Sequence, residues 1–290
     1  MIAPRTRAVA ADGGDMTIGE WGEVGAVPLL AIHGITASHL AWTRVAEALP
    51  ARHVIAPDLR GRGRSNALSG PFGMPRHAAD MVRLLDELGL ERVQLVGHSM
   101  GAFVAAATAA LAPDRVSGVV LVDGGLPLRE PPGGDVRAAV TATLGPALAR
   151  LSMTFADRDA YREFWRAVPA FGGDLDDDAL LAYIDYDLVG DPLHPATVPD
   201  AVAQDSLEFY GETPARAIDG VHAPVSLVWA PRGLQDETPG LYTRTELDGW
   251  AARWPAVAMR PVDDVNHYTI VMSPRGAGAV AAEVNGQAVL

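Results

Sequence analysis

Between Val27 and Val122 the chain alternates short apolar runs with helical patterns, and this alternation limits its fold more than any other feature. Val27–His33 is a continuous apolar run, as expected of a strand buried on both faces. Ser38–Leu49 follows a helical pattern, with Ser38 as the candidate N-cap. His53–Ala56 reads as a strand ended by Pro57. Pro75–Leu88 puts Met81, Leu84, Leu85 and Leu88 on one helical face, and Gly89 stops it. Val93–Val96, Met100–Leu111 and Val116–Val122 continue the series as strand, Ala-rich helix and strand. The series predicts a parallel sheet with helices on both faces and ligands at the carboxyl ends of its strands. Upstream, Arg5–Ala10 and Met16–Trp21 flank Asp12-Gly13-Gly14 as a hairpin.

The pattern changes after Asp123. Residues 126–218 carry Pro131-Pro132-Gly133-Gly134, an acidic run at Asp174–Asp178 read as solvated surface, and many of the aromatics. Helical patterns near 135–151, 157–167, 177–188 and 199–210 follow one another with no strand between them, which predicts an inserted helical subdomain. Strand and helix then alternate again through Pro224–Trp229, Arg244–Trp254, Val257–Val262 and Pro274–Val284. The predicted organisation is therefore 1–125 and 219–290 as two parts of one core, with 126–218 between them.

Composition removes whole chemistries. The 290 residues include no Cys, which excludes disulfides, thiolate nucleophiles and Cys-ligated metals. All 23 basic residues are Arg, so a P-loop lysine and an enzyme-lysine Schiff base are also excluded. A net charge of −13 opposes binding to nucleic acid or to an anionic membrane. No apolar core follows Arg5 and Arg7, and no apolar stretch is long enough to span a bilayer. A cytoplasmic protein, monomer or homodimer, acting on a small molecule without metal or cofactor is expected.

The candidate chemistry centres on Gly97-His98-Ser99-Met100-Gly101, a G-x-S-x-G pattern between an apolar strand and an Ala-rich helix. Flanking glycines permit a cramped turn from which Ser99 projects, and the helix start directs free N–H groups at it. A serine needs a base. His267 follows the last predicted strand, at the carboxyl edge where Ser99 lies. The base in turn needs an orienting carboxylate, and two compete. Asp236, in the loop after Pro224–Trp229, is favoured; Asp123, at the end of Val116–Val122, is nearer the nucleophile's own strand, and Glu237 is a lesser third. Backbone N–H groups of Ile35, after His33-Gly34, and of Met100 are the candidate oxyanion donors. His33 and His98 read as structural groups or pocket lining.

These residues resemble the α/β-hydrolase superfamily. The resemblance covers about Val27 to Gly125 and Pro224 to the end, through His33-Gly34, the Pro57–Ser65 loop, the Gly97–Gly101 elbow and the late His267. It implies a mostly parallel eight-stranded sheet flanked by helices, with a helical cap inserted after strand 6. It makes the Arg-rich Pro57–Ser65 loop structural rather than a phosphate site. Ser99 departs from haloalkane dehalogenases and epoxide hydrolases of this fold, which use an Asp nucleophile. The resemblance implies a serine hydrolase forming an acyl-enzyme from a small or medium hydrophobic ester or lactone. Gly34, His39, Trp42, His98, Phe155, Trp165, Tyr183 and Tyr186 are expected to contact substrate, with Phe171, Phe209 and Tyr210 as further cap candidates. The alternatives are a cofactor-free lyase or oxygenase using His267 as general base, and a non-catalytic receptor.

Overall fold

A computed structural model describes residues 1–131, 133–172, 175 and 177–287. Its first strands, β1 (Arg5–Ala11) and β2 (Gly14–Trp21), form the expected antiparallel hairpin. β3 (Val27–Ile32), α1 (Thr43–Glu47), β4 (Arg52–Pro57), α2 (Met74–Glu87), β5 (Val93–His98), α3 (Met100–Leu111) and β6 (Val116–Val122) then alternate. After the segment described below come β9 (Val225–Trp229), α9 (Arg244–Arg253), β10 (Ala258–Pro261), α10 (Thr269–Met272) and α11 (Pro274–Gln287). The sheet has eight strands in the order β1-β2-β4-β3-β5-β6-β9-β10. Pairings from β4 to β10 are parallel, and β1 and β2 extend one edge antiparallel.

The central strands are mostly apolar because both faces are covered. Leu30 and Ile32 of β3, and Val119 and Leu121 of β6, pack on the side of α2, α3 and α9. Leu29 and Ala31, with Val120 and Val122, face α1, α10 and α11 on the other side. That is the two-residue strand period written into two cores.

Between β6 and β9 lie α4 (Val136–Leu151), α5 (Arg158–Arg166), α6 (Asp178–Asp187), α7 (Pro199–Asp205) and α8 (Glu212–Asp219). Asp135, Asp157 and Asp177 cap α4, α5 and α6 with side-chain acceptors. A core of Tyr161, Trp165, Phe171, Tyr183, Ile184 and Leu188 holds part of this segment together. The segment is not wholly helical: β7 (Leu188–Val189) pairs antiparallel with β8 (His194–Pro195). A two-residue pairing is too short to leave a period in the sequence. Its last helix, α8, packs through Ala215 and Ile218 into the main core. Pro132, Asp174 and Asp176, in the turn and acidic run singled out above, lie outside the described residues. Asp177 in that run caps α6 and pairs with Arg44.

The predicted Ser38–Leu49 helix is instead a 3-10 turn, His39–Trp42, followed by the short α1. Ser38 makes no side-chain cap bond. Asp58 accepts the His39 backbone N–H at 2.8 Å, so a carboxylate from the next loop replaces the local cap. Among the described residues no helix is long and apolar enough to cross a membrane.

Candidate active site

Strand β5 delivers Ser99 to the carboxyl edge of the sheet. Ser99 has φ 54° and ψ −122°, a strained turn that lifts its side chain off the backbone path. Close packing makes the turn possible. A Cβ at Gly101 would stand 1.9 Å from the Ile32 carbonyl oxygen, and one at Gly97 would stand 2.1 Å from the Gly101 oxygen. Both positions therefore exclude any side chain.

Ser99 Oγ lies 3.0 Å from His267 Nε2, and His267 Nδ1 lies 2.7 Å from Asp123 Oδ2. His267 reaches this point from the loop between β10 and α10. Asn266 shapes that loop: its Oδ1 accepts the N–H groups of Tyr268 and Thr269 at 3.0 and 2.9 Å, and its Nδ2 donates to the Ala170 carbonyl at 2.7 Å. No motif singled out Asn266 in the sequence; its place beside His267, in an Asx-type turn, was the available signal.

Asp123 stands where strand pairing puts it. His98 of β5 is in register with Val122 of β6, and the Ser99 N–H donates to the Val122 carbonyl at 2.9 Å. The next residue on β6 is therefore alongside Ser99. Asp123 Oδ1 accepts the Ala230 N–H at 3.1 Å, and the side chain is fully buried. Asp236, favoured above, is not against His267. It accepts from Arg232 Nε at 2.8 Å and from Asn266 Nδ2 at 2.9 Å, and so acts on the loop of His267 rather than on its ring. The turn closed by the Gly233 N–H and the Glu237 carbonyl carries Asp236 away from the imidazole. Glu237 points elsewhere and accepts the Gln235 N–H.

Two buried histidines frame the site. His33 Nε2 accepts the Leu59 N–H at 3.0 Å, which leaves the proton on Nδ1. Nδ1–H then donates to the Gly34 carbonyl at 2.7 Å. Peptide planarity sets the Ile35 N–H opposite that carbonyl, so His33 fixes its direction. Arg62 Nε donates to the Ile35 carbonyl at 3.0 Å and fixes the following peptide. Burial pushes the His33 imidazole down to about 4. His98 Nε2–H donates to the His267 carbonyl at 2.7 Å. Burial, helped by the neighbouring His267 ring, holds His98 well below the ordinary histidine range. Met100 opens α3, so its N–H is one of the helix's unpaired donors.

Two adjoining cavities meet at Ser99, His267, Ile35, Leu144 and Leu234. Met100, Phe209 and Tyr210 line one of them; Gly34, His98, Tyr183 and Tyr268 line the other. Burial raises the Tyr183 and Tyr268 hydroxyls, which stay protonated. The remaining expected contacts lie elsewhere. His39 is buried against Asp58, with Nδ1 to Oδ1 at 2.9 Å, and Trp42 is buried in the core under α1. The 3-10 turn aims both toward the sheet. Tyr186 donates to Asp58 Oδ2 at 2.7 Å, beneath the Arg64 guanidinium. Phe155 and Trp165 belong to the aromatic packing among α5 and α6, Phe155 edge-on to Tyr161 at 4.6 Å. Phe171 packs on Tyr268 behind the cleft. Aliphatic residues do much of the lining: Leu128, Val140, Leu144, Leu234 and Leu241. Val140 and Leu144 share one face of α4, a four-residue spacing that signals burial without saying against what.

Two arginines of the Pro57–Ser65 loop are paired with carboxylates, and the third, Arg64, lies over the Tyr186 ring. Arg60 pairs with Asp80 at 2.8 Å, and Arg62 with Asp205 at 2.6 Å, leaving them bound to carboxylates. Among the described residues no group of three or more His, Asp or Glu is arranged to hold a metal ion.

A family described as alpha/beta hydrolase fold matches residues 27–140. Lipase LipV of Mycobacterium tuberculosis is 38% identical over 130 residues, 45% of this chain and 48% of that protein. The chain thus spans about half the length of that curated relative, 48%. A 3-hydroxybutyrate-oligomer hydrolase of Cupriavidus necator is 30% identical over 279 residues, 89% of each chain. The solved structure of E-2-(acetamidomethylene)succinate hydrolase superposes with a TM-score of 0.80 over 99% of this chain and 100% of that one, at 23% identity.

Proposed function

The chain belongs to the alpha/beta hydrolase family, and from that premise we propose that it is a serine carboxylic-ester hydrolase acting on a small or medium hydrophobic ester or lactone. The observation that carries this reading is the contiguous line from Ser99 Oγ to His267 Nε2, 3.0 Å, and from His267 Nδ1 to Asp123, 2.7 Å. In this reading His267 takes the Ser99 proton as Oγ attacks the carbonyl carbon. Asp123 holds the Nδ1–H tautomer and stabilises the imidazolium. The Ile35 and Met100 N–H groups stabilise the oxyanion. Collapse of the tetrahedral species expels the alkoxide, which takes the proton from His267. Water, deprotonated by His267, then releases the acid and restores Ser99.

Residues 126–218 act in this reading as a cap whose α4 closes the cleft over Ser99. The apolar lining favours an uncharged acyl group. The full-length relative's name, an oligomer hydrolase of 3-hydroxybutyrate, falls in the same small-ester class. Chromogenic esters of graded acyl length test the reading. Turnover by the wild type that is lost in both Ser99→Ala and His267→Ala is expected. Ester turnover that survives Ser99→Ala but not His267→Ala would instead mark attack by a His267-activated water without an acyl-enzyme, and a wild type that turns over no ester would favour the general-base lyase or oxygenase.

A further inference from the structure

The space beside the nucleophile is small, and a larger one lies behind a single ring. The two cavities that meet at Ser99 measure about 30 Å³ each, and Phe103 lines the one bounded by Met100, Phe209 and Tyr210. That is room for about two water molecules. Phe103 also lines a separate, apolar groove of about 300 Å³, partly open to solvent, between α2, α3 and α8. Met74, Ala107, Ala110 and Pro214 are among its walls, and its charged members are Glu208 and Arg216. Phe103 is therefore the partition between the two spaces. Phe209, on the catalytic side, stacks on it with ring centroids 4.8 Å apart and holds the ring in place.

The larger cavity runs in the direction an acyl tail would take. Phe103, Ala107 and Ala110 follow Ser99 along one side of α3, so a tail leaving Ser99 and passing Phe103 runs beside the helix for about 16 Å from Ser99 to Ala110. Ala107 and Ala110 leave the volume that the ring closes off.

We propose that Phe103 determines acyl-chain length in this enzyme. Its ring ends the acyl pocket and restricts turnover to short acyl groups, and the cavity behind it is a latent subsite for the aliphatic tail of a longer ester. The proposal rests on the ester-hydrolase reading above.

The test compares p-nitrophenyl butyrate with p-nitrophenyl decanoate for wild type, Phe103→Ala and Phe103→Ala/Ala107→Phe. The ratio of kcat/KM for decanoate over butyrate should rise at least about tenfold in Phe103→Ala. The added ring of Ala107→Phe should refill the subsite and cancel the gain. Phe103→Leu, which keeps most of the buried contact, should show a smaller rise and covers the case in which the alanine variant does not fold. Thermal unfolding with free decanoate reads the same subsite without turnover: decanoate should raise the Tm of Phe103→Ala more than that of the wild type. Equal losses on both esters with no decanoate-dependent Tm shift would overturn the proposal. A Tm shift without ester turnover by any variant would sustain the subsite and overturn the hydrolase reading instead.

Discussion

Asp123 Oδ2 stands 2.7 Å from His267 Nδ1, while Asp123 Oδ1 accepts the Ala230 N–H, so the carboxylate is held by the end of β9 as well as by the ring. Asp123→Asn should therefore lower kcat/KM by about 10⁴-fold, since the amide favours the wrong imidazole tautomer. Asp236 is part of a half-exposed pair with Arg232 and reaches His267 only through Asn266. Asp236→Asn should lose less than about tenfold. Steady-state kinetics of both variants on one ester decide the matter; equal, small losses would remove Asp123 from the proposed mechanism.

In the proposed mechanism His33 works through a peptide plane. Its Nδ1–H holds the Gly34 carbonyl at 2.7 Å, and that peptide carries the Ile35 N–H. His33→Ala should lower kcat by about 10²-fold with KM nearly unchanged, the signature of a donor felt only in the transition state. His33→Asn, which keeps a donor, should recover part of the loss. A matching rise in KM, with kcat intact, would assign His33 to substrate binding.

Buried neutral histidines make the fold sensitive to acid. The folded-state value of His33, about 4, lies below the ordinary 6.5. Between those values the unfolded chain binds a proton that the folded chain does not. Stability is thus complete above about pH 6.5 and falls as pH drops toward 4, by on the order of 3 kcal/mol from His33 alone. His98 shifts in the same direction and adds to the loss. Urea unfolding across this range should show that slope, and His33→Asn should flatten it.

Arg62 ties the loop after β4 to α7 through Asp205 at 2.6 Å, and also holds Ile35. Arg62→Met would leave the buried Asp205 carboxylate with only the Gly73 N–H and His77 as partners and should cost about 3–5 kcal/mol in chemical denaturation. A loss under about 1 kcal/mol would mean that His77, 3.0 Å from the same carboxylate, suffices for it.

Much of the architecture was legible because its signals are local. Met100–Leu111 and Val116–Val122 have the bounds that burial and Pro113 suggest. The turn at Ser99 was legible because glycine is required on both sides of it. The relation of Asp123 to His267 was less so, since 144 residues separate them and only the β5–β6 register places the acid. The same limit explains the aromatics between β6 and β9. Periodicity marks Trp165 and Tyr183 as buried, but only packing shows that Tyr183 faces the cleft while Trp165 faces Phe171. Asp58 similarly turns His39 and Tyr186 away from the cleft through bonds that no sequence window contains.

Intact-mass analysis after treatment with a fluorophosphonate tests the central claim most directly, because the reagent reports a hydroxyl activated by its neighbouring base. The wild type should gain a single adduct, mapped to Ser99, with labelling abolished in Ser99→Ala and strongly slowed in His267→Ala. A folded wild type that takes up no adduct at Ser99, or one labelled equally fast without His267, would contradict the account.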